Sequence, residues 1–231
     1  MTSPSLRVFG PARPADVRAV VLVLHGGQET SKARAHRFRP TYLRMLPFGR
    51  DLRWAGRGAG VAVWALRYRY RGWNRPDLDP VADGRWALGE IRRTHPDVPV
   101  VLVGHSMGGR VALRIAEDPA VVAVCALAPW TPESEHVDQL AGRTVLIAHG
   151  DQDTVTAPAL SLAYAVRAKE VTDAVCRFDV RDESHAMLRR AKDWRLLVRR
   201  FVLGVLGIAH MDHVIASALA KPSPGGLSVP L

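Results

Sequence analysis

The sequence predicts an α/β fold with one mostly parallel sheet of about seven strands and helices on both faces of the sheet. Short apolar runs are distributed along the chain, and most segments between them show a helical spacing of apolar residues. The runs are apolar without alternation, which is typical of strands buried on both faces. No Ser/Gly/Pro-rich linker or internal repeat divides the chain, so residues 1–220 are expected to form one domain.

The predicted elements follow one another in an alternating order of strands and helices. The strands span Leu6–Phe9, Ala19–Leu24, Val61–Leu66, Val98–Val103, Val121–Leu127, Thr144–Ala148 and Ala174–Val180. The helices run from Asp79-Pro80 to the residues before Pro96, from Met107 to Asp118-Pro119, from Pro158 to Ala168, and from Met187 to Val205. Proline is well suited to the first turn of a helix, and the last segment is a long amphipathic pattern.

Location and redox state are predicted from the ends of the chain and from its cysteines. The first residues, MTSPSLRVFGPARPADVR, lack the basic head and apolar stretch of a secretory signal, and no apolar run approaches membrane-spanning length. A cytoplasmic location is therefore expected. Cys125 and Cys176 lie in apolar runs without metal-type spacing, which predicts buried free thiols. Residues 221–231, KPSPGGLSVPL, are expected to be a disordered tail.

Residues 101–113, VLVGHSMGGRVAL, place a serine between a predicted strand and a predicted helix. A sharp turn there strains its central residue and brings the two elements too close for side chains. Gly104, Gly108 and Gly109 would supply the clearance around Ser106. This G-x-S-x-G pattern is that of a nucleophile elbow, with the positive end of the helix behind the hydroxyl. A glycine-rich turn with a capping serine is the alternative that the pentapeptide alone leaves open.

Another glycine-rich turn, His25-Gly26-Gly27-Gln28, follows the strand that ends at Leu24. Such a turn exposes backbone N–H groups, and acyl transfer requires donors aimed at a developing oxyanion. We therefore expect the N–H groups of Gly27 and Met107 to serve as the oxyanion donors. An ordinary strand-to-helix turn is the alternative.

Acidic and basic side chains follow two later strands. Asp151 and Asp153 both lie in HGDQD, directly after the strand that ends at Ala148, and either could orient a histidine. His185 lies in RDESHAMLRR, after the last predicted strand, and is the expected general base for a serine nucleophile. Three further histidines near strand ends are expected to support the site without touching the reacting atoms: His25, His105 and His149.

Over about residues 5 to 205 the sequence resembles the α/β-hydrolase family, through HGGQ, GHSMGG, HGDQD and SHAML in that order. In that family the acid stands three residues after the strand-end glycine, so the resemblance implies a triad of Ser106, Asp153 and His185. It implies hydrolysis of an ester, thioester or related acyl bond of a small molecule through an acyl-serine, with no metal or organic cofactor. Little or no cap is expected, which leaves selectivity to loops, above all the connection from Gln28 to Gly60.

Positive charge is concentrated between Lys32 and Arg75, where twelve basic residues and the single acid Asp51 give +11, while the whole chain carries +10. Interleaved aromatic residues make nucleic-acid binding an alternative function, and a non-catalytic scaffold is another. Candidate substrate contacts are Arg71, Trp73 and Trp130. One hypothesis is that arginines here attract an acyl substrate bearing a carboxylate or phosphate; a solvated arginine-rich surface is the other explanation.

Overall fold

The computed structural model describes residues 3–11 and 13–231 and centres on one sheet of eight strands. The strands are β1 (Ser5–Phe9), β2 (Ala19–Leu24), β3 (Val61–Arg67), β4 (Val100–His105), β5 (Val121–Leu127), β6 (Thr144–Gly150), β7 (Val175–Val180) and β8 (Val229–Pro230). Their spatial order is β1-β3-β2-β4-β5-β6-β7-β8. Strand β1 pairs antiparallel with β3, and the other neighbouring strands are parallel.

Helices cover both faces of this sheet. They are α1 (Pro40–Ala55), α2 (Asp79–Thr94), α3 (Met107–Arg114), α4 (Pro158–Ala168), α5 (Ala191–Val205) and α6 (His213–Ala220). Helices α2, α3 and α4 pack on one face, and α1, α5 and α6 pack on the other. Between β5 and β6 the chain contains only loop and one turn of 3-10 helix, so a large cap is absent from this described connection.

The alternation of side chains along each strand divides the core into two layers. In β2, Val20, Leu22 and Leu24 belong to the layer under α2, α3 and α4, whereas Val21 and Val23 belong to the opposite layer. Full burial of each such side chain stabilises the fold by about 1.5–3 kcal/mol. Parallel pairing then brings the carboxyl ends of β2, β4, β6 and β7 to the same edge of the sheet, where ligands bind in such folds.

The predicted fold class is confirmed, and all seven predicted strands are present with ends within two residues of the expected ones. Strand β8 and helices α1 and α6 are additional elements. The connection from Gln28 to Gly60 therefore contains a helix of 16 residues. Met187, the expected start of the last amphipathic helix, lies in the preceding loop with a φ of 56°, and α5 begins at Ala191.

The prediction of a disordered tail at residues 221–231 is wrong, because the segment packs against the sheet. Val229 pairs with Phe178 of β7, and the Leu227 side chain is only 1% exposed. Lys169 Nζ donates to the carbonyl of Gly225 at 3.0 Å, and Arg177 Nη1 donates to that of Leu227 at 3.2 Å. Although this segment is rich in proline and glycine, it contains one buried leucine and a short strand at the edge of the sheet.

Cys125 and Cys176 are buried and free, which confirms the prediction for both thiols. Burial raises the pKa of each thiol well above its usual range. Within the described residues, every helix is too short or too polar to cross a membrane.

We expect Leu227→Ala to lower the free energy of unfolding by about 2–4 kcal/mol, because the truncation loses buried apolar contacts and leaves a cavity. Urea denaturation followed by circular dichroism measures the change. Leu188→Ala is the matched control, since Leu188 is 67% exposed; the same truncation there should cost less than about 0.5 kcal/mol. Equal values for the two variants would contradict the docking of the tail.

Candidate active site

Ser106 occupies a strained turn between β4 and α3. Its φ of 56° and ψ of −121° lie where residues with side chains seldom occur, at a cost of about 1–3 kcal/mol. Backbone hydrogen bonds hold this conformation: the Ser106 N–H donates to the carbonyl of Leu127 at 2.9 Å, and the Ser106 carbonyl accepts from Arg110 at 3.1 Å and Trp130 at 3.3 Å. The hydroxyl is thereby presented at the carboxyl edge of the sheet, although the residue is only 8% exposed.

Glycines make this turn possible, as the sequence predicts. A β-carbon added at Gly104 would lie 2.2 Å from the carbonyl oxygen of Gly108, and one added at Gly108 would lie 2.4 Å from that of Leu24. Both positions exclude any side chain. Gly109 is less restrictive, because its added β-carbon would lie 3.0 Å from Pro129.

The structure joins Ser106, His185 and Asp153 through two hydrogen bonds. The distance from Ser106 Oγ to His185 Nε2 is 3.0 Å, and that from His185 Nδ1 to Asp153 Oδ2 is 2.7 Å. His185 lies on the loop after β7 and Asp153 on the loop after β6. Asp151 is exposed on the turn that follows β6 and is not the carboxylate in contact with His185. The arrangement can pass the serine proton to an imidazole that a carboxylate orients.

The Asp153 carboxylate is fully buried and surrounded by donors. Oδ1 accepts from the backbone N–H groups of Val155 at 2.8 Å and Thr156 at 3.0 Å, and Oδ2 accepts from Thr156 Oγ1 at 2.9 Å and His149 Nε2 at 3.1 Å. Burial alone would raise the pKa of Asp153. The hydrogen bonds from His149, His185 and Thr156 outweigh burial and hold that pKa well below its usual range. The group is therefore an anion that faces the imidazole of His185.

Two of the histidines near strand ends contact the Ser106–His185–Asp153 chain without touching the serine oxygen. His149 shares Asp153 Oδ2 with His185 and also lies 2.9 Å from the carbonyl of Thr156, a contact that requires a proton on Nε2. His105 Nε2 donates to the backbone carbonyl of His185 at 3.0 Å. Burial holds the pKa of His105 well below its usual value, so its ring is neutral.

Two residues that were not predicted from the sequence, Glu183 and Thr156, position His185 and Asp153. Glu183 is fully buried and accepts from the backbone N–H groups of Ser184 and Arg190, which closes the loop carrying His185. Its backbone carbonyl lies where a β-carbon on Gly150 would be only 2.2 Å away, so β6 and this loop are in close contact. Thr156 satisfies Asp153 from both its N–H and its hydroxyl. An acid beside SHAML and a threonine beside HGDQD were the only sequence signals.

The glycine-rich turn after β2 lies against the serine turn. A β-carbon on Gly26 would lie 3.3 Å from the β-carbon of Ser106, and one on Gly27 would collide with the Met107 side chain at 2.4 Å. Met107 is the first residue of α3, where backbone N–H groups have no acceptor within the helix. The structure thus brings Gly27 and Met107 together beside Ser106.

His25 shapes the glycine-rich turn. Its Nδ1 donates to the carbonyl of Gly26 at 2.7 Å, and its Nε2 accepts from the N–H of Tyr68 at 3.4 Å. The ring also contacts those of Tyr42 and Tyr68 edge-on. Burial lowers the pKa of His25 to about 4, against the opposing effect of the hydrogen bond to Gly26. The neutral ring therefore links the glycine-rich turn to the segment after β3.

Trp73 does not have the open position that a substrate contact requires. It is 1% exposed, and its indole faces the buried guanidinium of Arg110 at 4.0 Å. Trp130 is half-buried and covers the same guanidinium from 4.3 Å. Arg110 forms an ion pair with the buried Glu135, so the two indoles stabilise a desolvated charge on α3. The prediction for Trp73 is corrected on this ground; Trp130 retains an exposed portion.

Some basic residues of the stretch from Lys32 to Arg75 form ion pairs near the protein surface. Lys32 Nζ lies 2.8 Å from Asp79, and Arg69 Nε lies 2.5 Å from the buried carboxylate of Asp83. These pairs tie the segments after β2 and β3 to the start of α2. Two of the positive charges in the stretch therefore have acidic partners within the fold.

Arg71 lies beside the glycine-rich turn without an ion pair to a described carboxylate. Its Nε donates to the carbonyl of Arg34 at 3.0 Å, and its own carbonyl accepts from Gln28 at 2.8 Å. A β-carbon on Gly27 would lie 2.4 Å from the same carbonyl. The described residues contain no cluster of three histidine, cysteine or acidic side chains suited to a metal ion.

Comparison with known proteins assigns the class. The model of the alpha/beta hydrolase family matches residues 20–226, so the chain belongs to that family. No curated protein matches the sequence significantly.

Solved structures with the same fold have low sequence identity to this chain. Est1E from Butyrivibrio proteoclasticus is 15% identical with a TM-score of 0.67, and the match covers 88% of this chain and 95% of that one. XC6422 from Xanthomonas campestris, described as a serine hydrolase without a lid, is 20% identical with a TM-score of 0.65 over 86% and 88% of the two chains. Esterase 2 from Thermogutta terrifontis, phosphorylated by paraoxon, is 18% identical with a TM-score of 0.69 over 90% and 91%.

We expect the buried His25 to make stability depend on pH between about 4 and 6.5. Above this window the ring is neutral in both states. As pH falls through it, the unfolded chain binds a proton that the folded chain does not, so folded-state stability is lost, by about 2 kcal/mol at pH 5. His25→Asn keeps a donor for Gly26 but does not titrate.

Urea denaturation of the wild type and His25→Asn at pH 7.5 and pH 5 tests this expectation. The variant should be less stable at pH 7.5, and the difference should narrow by about 2 kcal/mol at pH 5. A difference that is the same at both pH values would contradict the assignment.

Proposed function

We propose that this protein is a serine hydrolase that cleaves a carboxylic ester, thioester or related acyl bond through an acyl-serine intermediate. The observation that carries the proposal is the hydrogen-bonded chain from Ser106 through His185 to Asp153, built on a strained turn. Membership of the alpha/beta hydrolase family supports a hydrolytic reaction. Two solved structures of the same fold, both of esterase 2 from Thermogutta terrifontis, carry the name of an esterase, which supports the acyl class.

In the first half of the proposed reaction, His185 Nε2 takes the proton from Ser106 Oγ as the oxygen bonds to the acyl carbon. The carbonyl oxygen becomes an oxyanion, and the N–H groups of Gly27 and Met107 are the proposed donors to it. Collapse of this intermediate breaks the bond to the leaving alkoxide or thiolate, which receives the proton from His185. The acyl group remains on Ser106.

In the second half, His185 takes a proton from water, whose oxygen attacks the acyl-serine. The second tetrahedral intermediate then releases the carboxylic acid, and His185 returns its proton to the oxygen of Ser106. Asp153 keeps its charge throughout, holds the Nδ1 proton of His185 and stabilises the imidazolium that forms in each half. The depressed pKa of Asp153 supports this role, because the carboxylate stays ionised throughout the neutral pH range.

The substrate is proposed to be a small acyl compound that enters over the loops, because the connection between β5 and β6 is short. Arg71 beside the glycine-rich turn and the half-buried Trp130 are the proposed contacts. A non-catalytic scaffold is less well supported, since such a protein has no need of a serine held in hydrogen-bond contact with an oriented histidine. Nucleic-acid binding is also less well supported, because Lys32 and Arg69 already form ion pairs with the carboxylates of Asp79 and Asp83.

Ser106→Ala should lower turnover of p-nitrophenyl acetate by at least about 10³-fold, because the residues of a catalytic triad act as a unit. The variant should fold normally, which circular dichroism and thermal denaturation check. Wild-type turnover in the folded variant would refute the proposal that Ser106 is the nucleophile.

Asp153→Asn should lower kcat by about 10³- to 10⁴-fold, because an amide favours the wrong tautomer of His185. Asp151→Asn is the matched control, two residues away in the same turn, and should leave kcat nearly unchanged because Asp151 is exposed. Steady-state kinetics on both variants makes the comparison. Similar losses in the two variants, or a larger loss in Asp151→Asn, would contradict the assigned role of Asp153.

A further inference from the structure

A concave region beside the sheet edge contains none of the proposed catalytic residues. This groove has a volume of about 790 Å³ and is bounded by β1, the end of β3, residues 36–38 and the first half of α1. We call it the β1 groove. Its volume is within the range of sites that hold small organic molecules.

The charged residues that line the β1 groove are basic: Arg7, Arg37 and Arg67, with His36 beside them, and the lining contains no acidic residue. None of the three arginines forms an ion pair with a carboxylate in the described part of the chain. Arg67 is held in place because its Nε donates to Ser5 Oγ at 2.9 Å and its Nη1 to the carbonyl of Ala35 at 3.3 Å. These contacts orient its guanidinium without neutralising its charge.

Arg7 and Arg37 are positioned by aromatic rings. The guanidinium of Arg7 lies 4.7 Å from the centre of the Phe9 ring, and that of Arg37 lies 4.8 Å from the centre of the Phe38 ring. Stacking of this kind leaves the N–H groups at the guanidinium edge free to bind an anion. Three such cations facing one groove repel one another, and a bound anion with more than one negative charge would relieve that repulsion.

The rest of the lining is apolar and partly open to solvent. Phe38 is 67% exposed and Leu43 is 43% exposed, and both are large hydrophobic side chains. Tyr42 and Leu43 belong to the first turn of α1, so the positive end of this helix dipole adds to the charge of the groove. An anionic group and an apolar body could therefore be bound side by side.

We propose that the β1 groove binds a small organic phosphate, in which a group with two or more negative charges is attached to an aromatic or apolar body. Guanidinium groups form bidentate hydrogen bonds with phosphate oxygens, and Phe38 offers a face for the attached body. Binding here does not depend on the reaction proposed at Ser106.

The test uses the full chain and ADP, which joins a pyrophosphate group to an aromatic base, with inorganic pyrophosphate as the second probe. Isothermal titration calorimetry in 50 mM salt should show one ADP bound per chain. Arg37→Gln and Arg7→Gln should each weaken ADP binding about tenfold, because each removes a charge-assisted contact with phosphate. Among the described residues, neither side chain has a hydrogen bond that the substitution would break.

Arg57→Gln is the matched control, because Arg57 belongs to the same basic stretch but lies after the opposite end of α1. It should leave the affinity unchanged. An equal loss in Arg57→Gln and Arg37→Gln would show nonspecific attraction and overturn the proposal, as would no binding of ADP by the wild type at 1 mM.

Phe38→Ala tests the apolar part of the proposal. Both ligands lose the stacking that positions Arg37, but only ADP also loses a ring contact, so ADP binding should weaken about fivefold more than pyrophosphate binding. Equal affinities of the wild type for ADP and pyrophosphate, or equal effects of Phe38→Ala on both, would contradict a site for an attached body.

Discussion

The strained turn at Ser106 is the constraint on which the rest of the site depends. A positive φ at a residue with a side chain persists only where the surroundings over-determine it. Here the pairing of β4 with β2 and β5 holds one side, and the first turn of α3 holds the other. The close approach of α3 to β2 requires Gly108, and it also brings Met107 against Gly27. One turn thus sets the positions of the serine and of both proposed oxyanion donors.

The buried carboxylate of Asp153 is the second fixed point. An ionised group without exposure to water is tolerated because each oxygen accepts hydrogen bonds, from two backbone N–H groups, one hydroxyl and two imidazoles. Both carboxylate oxygens of Asp153 therefore have all their hydrogen-bond positions occupied. Because Asp153 is fixed in this way, the His185 ring that donates to it has a single orientation. On the other side, the carbonyl of His185 is held by His105, and its loop is closed by Glu183. The imidazole of His185 is therefore held in place both by its hydrogen bond to Asp153 and by the contacts of its own backbone and loop.

The order and ends of β1 to β7 could be predicted because continuous apolar runs have few alternatives in a chain of this composition. The residues around Ser106 could also be predicted, since glycine spacing reflects close backbone contact. Helix α1 could not, because Pro47 and Gly49 interrupt a pattern that otherwise has helical spacing. Trp73 is buried against Arg110, which lies 37 positions away, and the tail is held by its pairing with β7 and by the burial of Leu227. Such long-range partners leave no local signal.

Covalent labelling followed by mass spectrometry would show whether Ser106, activated by His185, is the nucleophile. The full chain would be treated with a fluorophosphonate at pH 8 and digested, and the modified peptide would be sequenced. We expect one adduct per chain, on Ser106, and none in a folded His185→Ala variant over the same time. No adduct on the wild type, or an adduct at another residue, would rule out Ser106 as the nucleophile.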